Sequence, residues 1–255
     1  MPGILDQFKL DGQVAIVTGA SKGLGAAMAV ALAEAGADVA LVARGSCDDA
    51  KTQIEALGRR ALAISADLQD RSSMDTVIPK VLESLGQATI LVNNGGTIRR
   101  NDFTEYSDDD WDAVMEININ ALFRLSRAFA KSLVDAGRKG KIVNVASMLS
   151  YQGGIRVAAY TASKSAVMGL TRLMANELAP KGINANAIAP GYFATDNTQA
   201  LREDSERNAA ILGRIPAGRW GKPKELGGAV VYLSSPASDY MHGYTLAVDG
   251  GWLAR

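Results

Sequence analysis

Seven short apolar runs, nearly all separated by stretches long enough for a helix, leave this chain few ways to fold. The runs lie at 14–18, 39–42, 61–65, 90–93, 141–146, 184–188 and 244–248. The pattern predicts helices over 23–35, after Asp48, after Asp70, over most of 108–136 and over 158–179. Strands alternating with helices build a parallel sheet, because each crossover returns the chain to its starting edge and lays a helix on a face. Runs that are apolar almost without interruption fit strands covered on both sides. No linker, repeat or low-complexity segment breaks the pattern, so residues 1–255 are expected to form a single domain. The segment 191–222 stands apart as polar, arginine-rich and weakly periodic. Long connections in compact domains are often functional, so it is expected to be a substrate lid, the alternative being a plain surface excursion.

The charge balance narrows the partners. Lys plus Arg and Asp plus Glu each number 27, which gives no electrostatic reason for a nucleic-acid partner. Cys47 is the only cysteine, so no intrachain disulfide can form, which suits a reducing compartment. The N-terminal residues show no basic stretch leading into an apolar one. No run of about 18 apolar residues exists to span a membrane. The expectation is a cytoplasmic protein with no membrane span and no metal.

The first apolar run ends in Thr18-Gly19-Ala20-Ser21-Lys22-Gly23-Leu24-Gly25, and a helix follows. Glycines at a strand-to-helix turn permit a tight bend and let backbone approach a pyrophosphate. The helix behind offers unpaired N–H groups and the positive end of its dipole to the phosphates. The spacing G-x-x-x-G-x-G differs from the commoner G-x-G-x-x-G. Its setting, strand before and helix after, is that of an α/β, Rossmann-type doubly wound sheet of seven parallel strands with helices on both faces. About 20 residues further on, such a sheet places an acidic residue against a ribose 2′-hydroxyl. This chain has Ala43-Arg44-Gly45-Ser46 there. Arg44 and Ser46 suit a 2′-phosphate, with Lys22 adding charge, which favours NADP(H) over NAD(H). In the alternative, Arg44 stacks on adenine or faces solvent and either cofactor binds.

A second constellation lies downstream. Tyr160 and Lys164 are four apart in a helical stretch and so share a face. Ser147 ends the fifth apolar run. A free tyrosine has a pKa near 10, so proton exchange at neutral pH needs a stabilised phenolate. Lys164, one turn on, is a cation placed to supply that stabilisation. Ser147 can hydrogen-bond a substrate oxygen. Asn118 falls inside a long helix, where asparagine has poor propensity, which points to a polar contact or a bound water. Taken singly, these are ordinary residues: a surface pair, a strand cap and an interior amide. Taken in this order behind a nucleotide loop, they form a set for moving a proton while a cofactor moves a hydride.

These residues resemble the short-chain dehydrogenase/reductase family in its single-domain form of roughly 250 residues. The resemblance covers essentially the whole chain. Its motifs are Thr18-Gly19-x-x-x-Gly23-x-Gly25, Asp67, Asn93-Asn94-Gly95-Gly96, Asn118, Ser147, Tyr160-x-x-x-Lys164, and Pro190-Gly191 followed by Thr195. It implies catalysis by Asn118, Ser147, Tyr160 and Lys164. It implies a dinucleotide held by Gly19, Ser21, Lys22, Gly23, Leu24 and Gly25, by Asp67 and Leu68 at the adenine, and by Asn94 and Gly95. Tyr160 and Lys164 would bind the nicotinamide half, with Pro190, Gly191 and Thr195 beside it. Gly96 departs from the family, where alanine is usual. The family usually forms homotetramers. Stretches such as Ala189-Pro190-Gly191-Tyr192, 214–221 and 247–255 resemble a narrower group within it. That group interconverts hydroxyl and keto groups on deoxy-keto-sugar acids, mostly with NAD(H), and Arg44 contrasts with that preference.

An acidic small-molecule substrate is also expected from the residues themselves. Arg156 lies between Ser147 and Tyr160, and a guanidinium can clamp a carboxylate through two parallel bonds. Arg156 is therefore a candidate anchor, the alternative being a protein carboxylate or water as its partner. Arg99, Arg100 and Arg202 are weaker candidates. Other enzyme readings are an NADPH-dependent reductase of another keto acid, such as an alginate-derived uronate, or a 3-oxoacyl-carrier-protein reductase. A non-catalytic nucleotide-binding regulator on the same scaffold would have no need of Tyr160 and Lys164.

Overall fold

The computed structural model describes residues 3–255; Met1 and Pro2, part of the N-terminal stretch read above, lie outside them. The strands are β1 (Val14–Thr18), β2 (Asp38–Ala43), β3 (Ala61–Ser65), β4 (Ile90–Asn93), β5 (Gly140–Val145), β6 (Ile183–Pro190) and β7 (Thr245–Val248). They form one sheet in the order β3-β2-β1-β4-β5-β6-β7. Every neighbouring pair is parallel. The order reverses between β1 and β4, and in such sheets ligands bind outside the carboxyl ends of the strands at that switch point.

The helices are α1 (Gly23–Glu34), α2 (Asp48–Ala56), α3 (Arg71–Asp75), α4 (Val77–Leu85), α5 (Asp108–Met115), α6 (Leu122–Asp135), α7 (Ala158–Leu178), α8 (Gln199–Glu203), α9 (Ser205–Arg214) and α10 (Gly227–Ser234). They cover both faces of the sheet. Along β1, Val14 and Ile16 join one core with Val81 of α4, Phe129 of α6 and Val167 of α7. Ala15 and Val17 join the other, with Met28 and Leu32 of α1, Ile54 of α2 and Val230 of α10. Successive side chains of a strand face opposite ways, so two buried faces require an unbroken apolar run. The seven strands and the single Rossmann-type domain match the expectation.

Three local features differ from the predicted pattern. The stretch after Asp70 is two helices, divided at Thr76, which caps the end of one and the start of the next. The stretch 108–136 is interrupted by a π-helical segment, Glu116–Ala121. The weakly periodic segment 191–222 contains α8 and α9. Its base is closed by a bridge between Phe193 and Gly221, with Ala194 N–H donating to the Gly221 carbonyl at 2.8 Å. From α9, Ile211 packs with Met148, Ile215 and Trp252 in a small third core. Among the described residues, no helix is long and apolar enough to cross a membrane, and no acidic, histidine or cysteine cluster could hold a metal ion.

Candidate active site

The carboxyl ends of the central strands open onto one cleft of about 1010 Å³. It is lined by every residue proposed above for cofactor or catalysis except Ser46 and Asn118, the latter lying behind its wall.

One end is built for phosphates. Gly19 and Gly23 have φ of +66° and +60°, a conformation that costs little only for glycine. A Cβ on Gly25 would sit 2.2 Å from the Gly19 carbonyl oxygen, so the loop and α1 are packed backbone to backbone. Thr18 and Asn94 fix the loop: the Thr18 hydroxyl accepts from the N–H groups of Asn94 at 3.0 Å and Gly95 at 2.9 Å. The Asn94 amide donates to the Thr18 carbonyl at 2.9 Å. Lys22, at the N-cap of α1, makes no side-chain cap bond, so the first-turn N–H groups remain available to an anion. Asp67 and Leu68 lie beyond the end of β3 and border the same cleft. This donor set fits a dinucleotide.

The cations at this end divide. Arg44 borders the cleft with its guanidinium 3.7 Å from Asp67, a long exposed pair that leaves donors free. The Lys22 ammonium is 2.7 Å from Asp196, near the start of segment 191–222, and holds the Asp196 carboxyl below its usual pKa. Ser46, expected beside Arg44, instead donates to Asp48 at 2.6 Å and accepts the Asp48 N–H. Arg44 is thus the cation left with free donors at this end, and Ser46 is engaged in its own turn.

The other end gathers Ser147, Tyr160 and Lys164. Ser147 follows β5, where its hydroxyl accepts from Leu149 N–H at 3.2 Å. Tyr160 and Lys164 project from one face of α7. The Lys164 ammonium donates to the Val145 carbonyl at 2.6 Å and lies 5.6 Å from the centre of the Tyr160 ring. Burial lowers the Lys164 pKa to about 8. Burial also pushes the Tyr160 hydroxyl above its ordinary value, against Ser147 and the Arg100 charge, which pull it down. The protein alone therefore does not bring the phenol down as the sequence reading expects, because desolvation outweighs its neighbours.

Asn118 sits in the π segment and is buried. Its amide donates to the Thr97 carbonyl and to the Ser163 hydroxyl, each at 3.0 Å, and its oxygen accepts Thr97 N–H at 2.8 Å. Ser163 in turn donates to the Tyr160 carbonyl at 2.8 Å. Asn118 thus ties the loop after β4 to the first turns of α7, and a polar contact accounts for asparagine in a helical run. The methyl missing at Gly96 has little room, since a Cβ there would lie 3.2 Å from the Asn118 oxygen.

Arg156 is not brought to the cleft. Its residue has φ of +64°, and its guanidinium pairs with Asp102 at 2.9 Å on the outer surface. The left-handed turn carries this side chain away from its neighbours Ile155 and Val157, which do line the cleft. Arg99 is likewise paired, with Asp110, and Arg202 donates to the Thr195 carbonyl. The cleft does receive Arg100, as well as Arg207 and Arg214 from α9, which sequence reasoning missed. The available signal was their spacing of seven, which puts both on one helical face.

The short chain dehydrogenase family profile matches residues 13–206. A 2-dehydro-3-deoxy-D-gluconate 5-dehydrogenase from Escherichia coli (strain K12) is 55% identical over 252 residues, covering 99% of this chain and all of that protein. An Agrobacterium tumefaciens protein, described as a candidate 2-deoxy-D-gluconate 3-dehydrogenase and solved with bound NADP, superposes with a TM-score of 0.93 at 54% identity, covering 98% of this chain and 99% of its own. A gluconate 5-dehydrogenase from Burkholderia cenocepacia J2315, solved with NADP and tartrate, gives 0.93 at 36% identity, covering 99% of this chain and 100% of its own.

Proposed function

The chain belongs to the short-chain dehydrogenase family, and we propose that it is an NAD(P)-dependent oxidoreductase interconverting hydroxyl and ketone on a deoxy-keto-sugar acid. The leading substrate is 2-dehydro-3-deoxy-D-gluconate, reacting at carbon 5, as in the name of its E. coli relative. The observation that carries this reading is one cleft that joins a phosphate-binding loop to Ser147, Tyr160 and Lys164, with cations on its far wall.

When bound, a nicotinamide dinucleotide supplies or accepts the hydride. The Ser147 hydroxyl holds the substrate oxygen. Tyr160 gives that oxygen a proton in reduction and takes one in oxidation. Lys164, charged below a pKa of about 8, favours the phenolate by attraction across the 5.6 Å to its ring. Asn118 positions Tyr160 through Ser163. Arg44 favours NADP(H), and NADP in the A. tumefaciens and B. cenocepacia structures supports that preference. The tartrate held by the latter is a hydroxy acid, as the proposed substrate is. Segment 191–222 is read as the lid over this end. The protein is read as a cytoplasmic homotetramer, for which half-exposed Trp111 and Phe123 on α5 and α6 offer apolar contact surface.

A panel of uronate-derived keto and hydroxy acids, assayed in both directions with NADH and NADPH, tests the reading. The expected result is highest kcat/KM on 2-dehydro-3-deoxy-D-gluconate or its oxidised partner. Turnover confined to 3-oxoacyl thioesters, or to none of the acids, refutes it.

A further inference from the structure

The lid carries cations that nothing in the protein neutralises. On α9, Arg207, Ala210, Ile211 and Arg214 recur at helical spacing and all face the cleft. Among the described residues, Arg207 and Arg214 lie within ion-pair distance of no carboxylate, whereas Arg156, Arg99 and Arg219 are all paired. Arg214 is held in place without losing its charge: its guanidinium stacks on the Trp252 ring at 4.1 Å and donates to the Gln152 amide oxygen at 3.1 Å. Ile211 is buried between the two arginines and fastens this helical face to the third core. Arg207 and Arg214 both act on Tyr192, while Arg100 acts on Tyr192 and Tyr160 alike.

A fixed guanidinium with free donors recognises a carboxylate. We propose that Arg207 and Arg214 together bind the substrate's carboxylate. This rests on the oxidoreductase reading above and specifies its substrate end. It also makes the acid itself a tie between the lid and the catalytic wall: a sugar acid lying between α9 and Ser147 spans both.

The test compares 2-dehydro-3-deoxy-D-gluconate with the ketose that bears a hydroxymethyl group in place of the carboxylate. Arg207→Gln and Arg214→Gln are each expected to raise KM for the acid about 10- to 100-fold, the loss typical of one charge-assisted contact. KM for the neutral ketose and the Kd for NADPH should be unchanged, and Arg207→Lys should recover part of the loss. Arg156→Gln should leave all of these values as they are. Unaltered preference for acid over ketose in both glutamine variants overturns the assignment, as does loss of that preference in Arg156→Gln. Calorimetric binding of the acid to the NADPH complex gives the same comparison without turnover. Acid that binds through Arg207 and Arg214 without reacting refutes the proposed reaction and leaves the lid pair standing. Acid that neither binds nor reacts overturns both.

Discussion

Lys164 should cost the protein stability for as long as it carries its charge. Its side chain is buried, and burial takes its pKa from 10.5 to about 8. The distance between those values corresponds to about 3 kcal/mol of disfavoured charging in the folded state. Below pH 8 both folded and unfolded chains hold the proton, and the full cost is present. Between pH 8 and 10.5 the unfolded chain holds a proton that the folded chain has released, so stability rises with pH across that window. Above it the cost is gone. Lys164→Met keeps the length of the side chain and removes the charge. It also removes the donor to the carbonyl of Val145, a residue that borders the cleft, a loss of about 1 kcal/mol. The net expectation at pH 7 is a gain of about 2 kcal/mol, or a rise in Tm of about 4–8 °C for a domain of this size. Urea and thermal unfolding of the cofactor-free proteins, followed by tryptophan fluorescence at fixed protein concentration, measure it. The gain should shrink as pH is raised from 8 to 10, while turnover is lost throughout. A variant no more stable than the wild type at pH 7, or a difference that does not narrow with pH, would refute the reasoning.

Three further substitutions probe the remaining parts. Tyr160→Phe should lower kcat by about 10²- to 10⁴-fold, the usual weight of a positioned proton donor, with the Kd for NADPH from fluorescence titration unchanged. Arg44→Asp should move the ratio of kcat/KM values for NADPH and NADH toward NADH by about 10- to 100-fold, as one lost phosphate contact implies; a fixed ratio removes Arg44 as the selector. Asn118→Ala strands Thr97 and Ser163 and should cost about 2–3 kcal/mol in urea unfolding. Its kcat should fall as Tyr160 loses its support, with KM for the cofactor little changed.

What was legible in the sequence follows from what each signal measures. The strands were legible because a sheet covered on both faces demands apolar residues at every position, as Val14 to Val17 show in joining alternate cores. The glycine loop was legible because positive φ at Gly19 and Gly23 and the backbone contact at Gly25 admit no other residue cheaply. The π segment was not legible: a shift of the hydrogen-bonding partner by one residue leaves the apolar spacing of a helix almost intact, and only Asn118 hinted at it. The helix α9 was hidden for a different reason. It is only ten residues long, and its apolar residues Ala209, Ala210, Ile211 and Leu212 form one contiguous run between polar ends, too short to repeat over several turns.

The error at Arg156 and the omission of Arg207 and Arg214 have a common cause. Nearness in sequence to Ser147 and Tyr160 fixes where a backbone runs, but a single left-handed residue decides where its side chain goes. At Arg156 that turn leads outward to Asp102. Arg207 and Arg214 are more than 40 positions from Tyr160 in the chain, and they reach the cleft because Phe193 and Gly221 close the base of the excursion while Ile211 packs with Met148 and Trp252. The placing of Tyr160 and Lys164 on one helix face can be read from spacing alone. A grouping of side chains from separate elements across the cleft cannot, because it depends on how segment 191–222 is packed. On this chain Tyr160 and Lys164 ride on α7 and Ser147 follows β5, whereas Arg207 and Arg214 ride on α9, so substitutions in α9 can alter the charge of the cleft while Ser147, Tyr160 and Lys164 stay where they are.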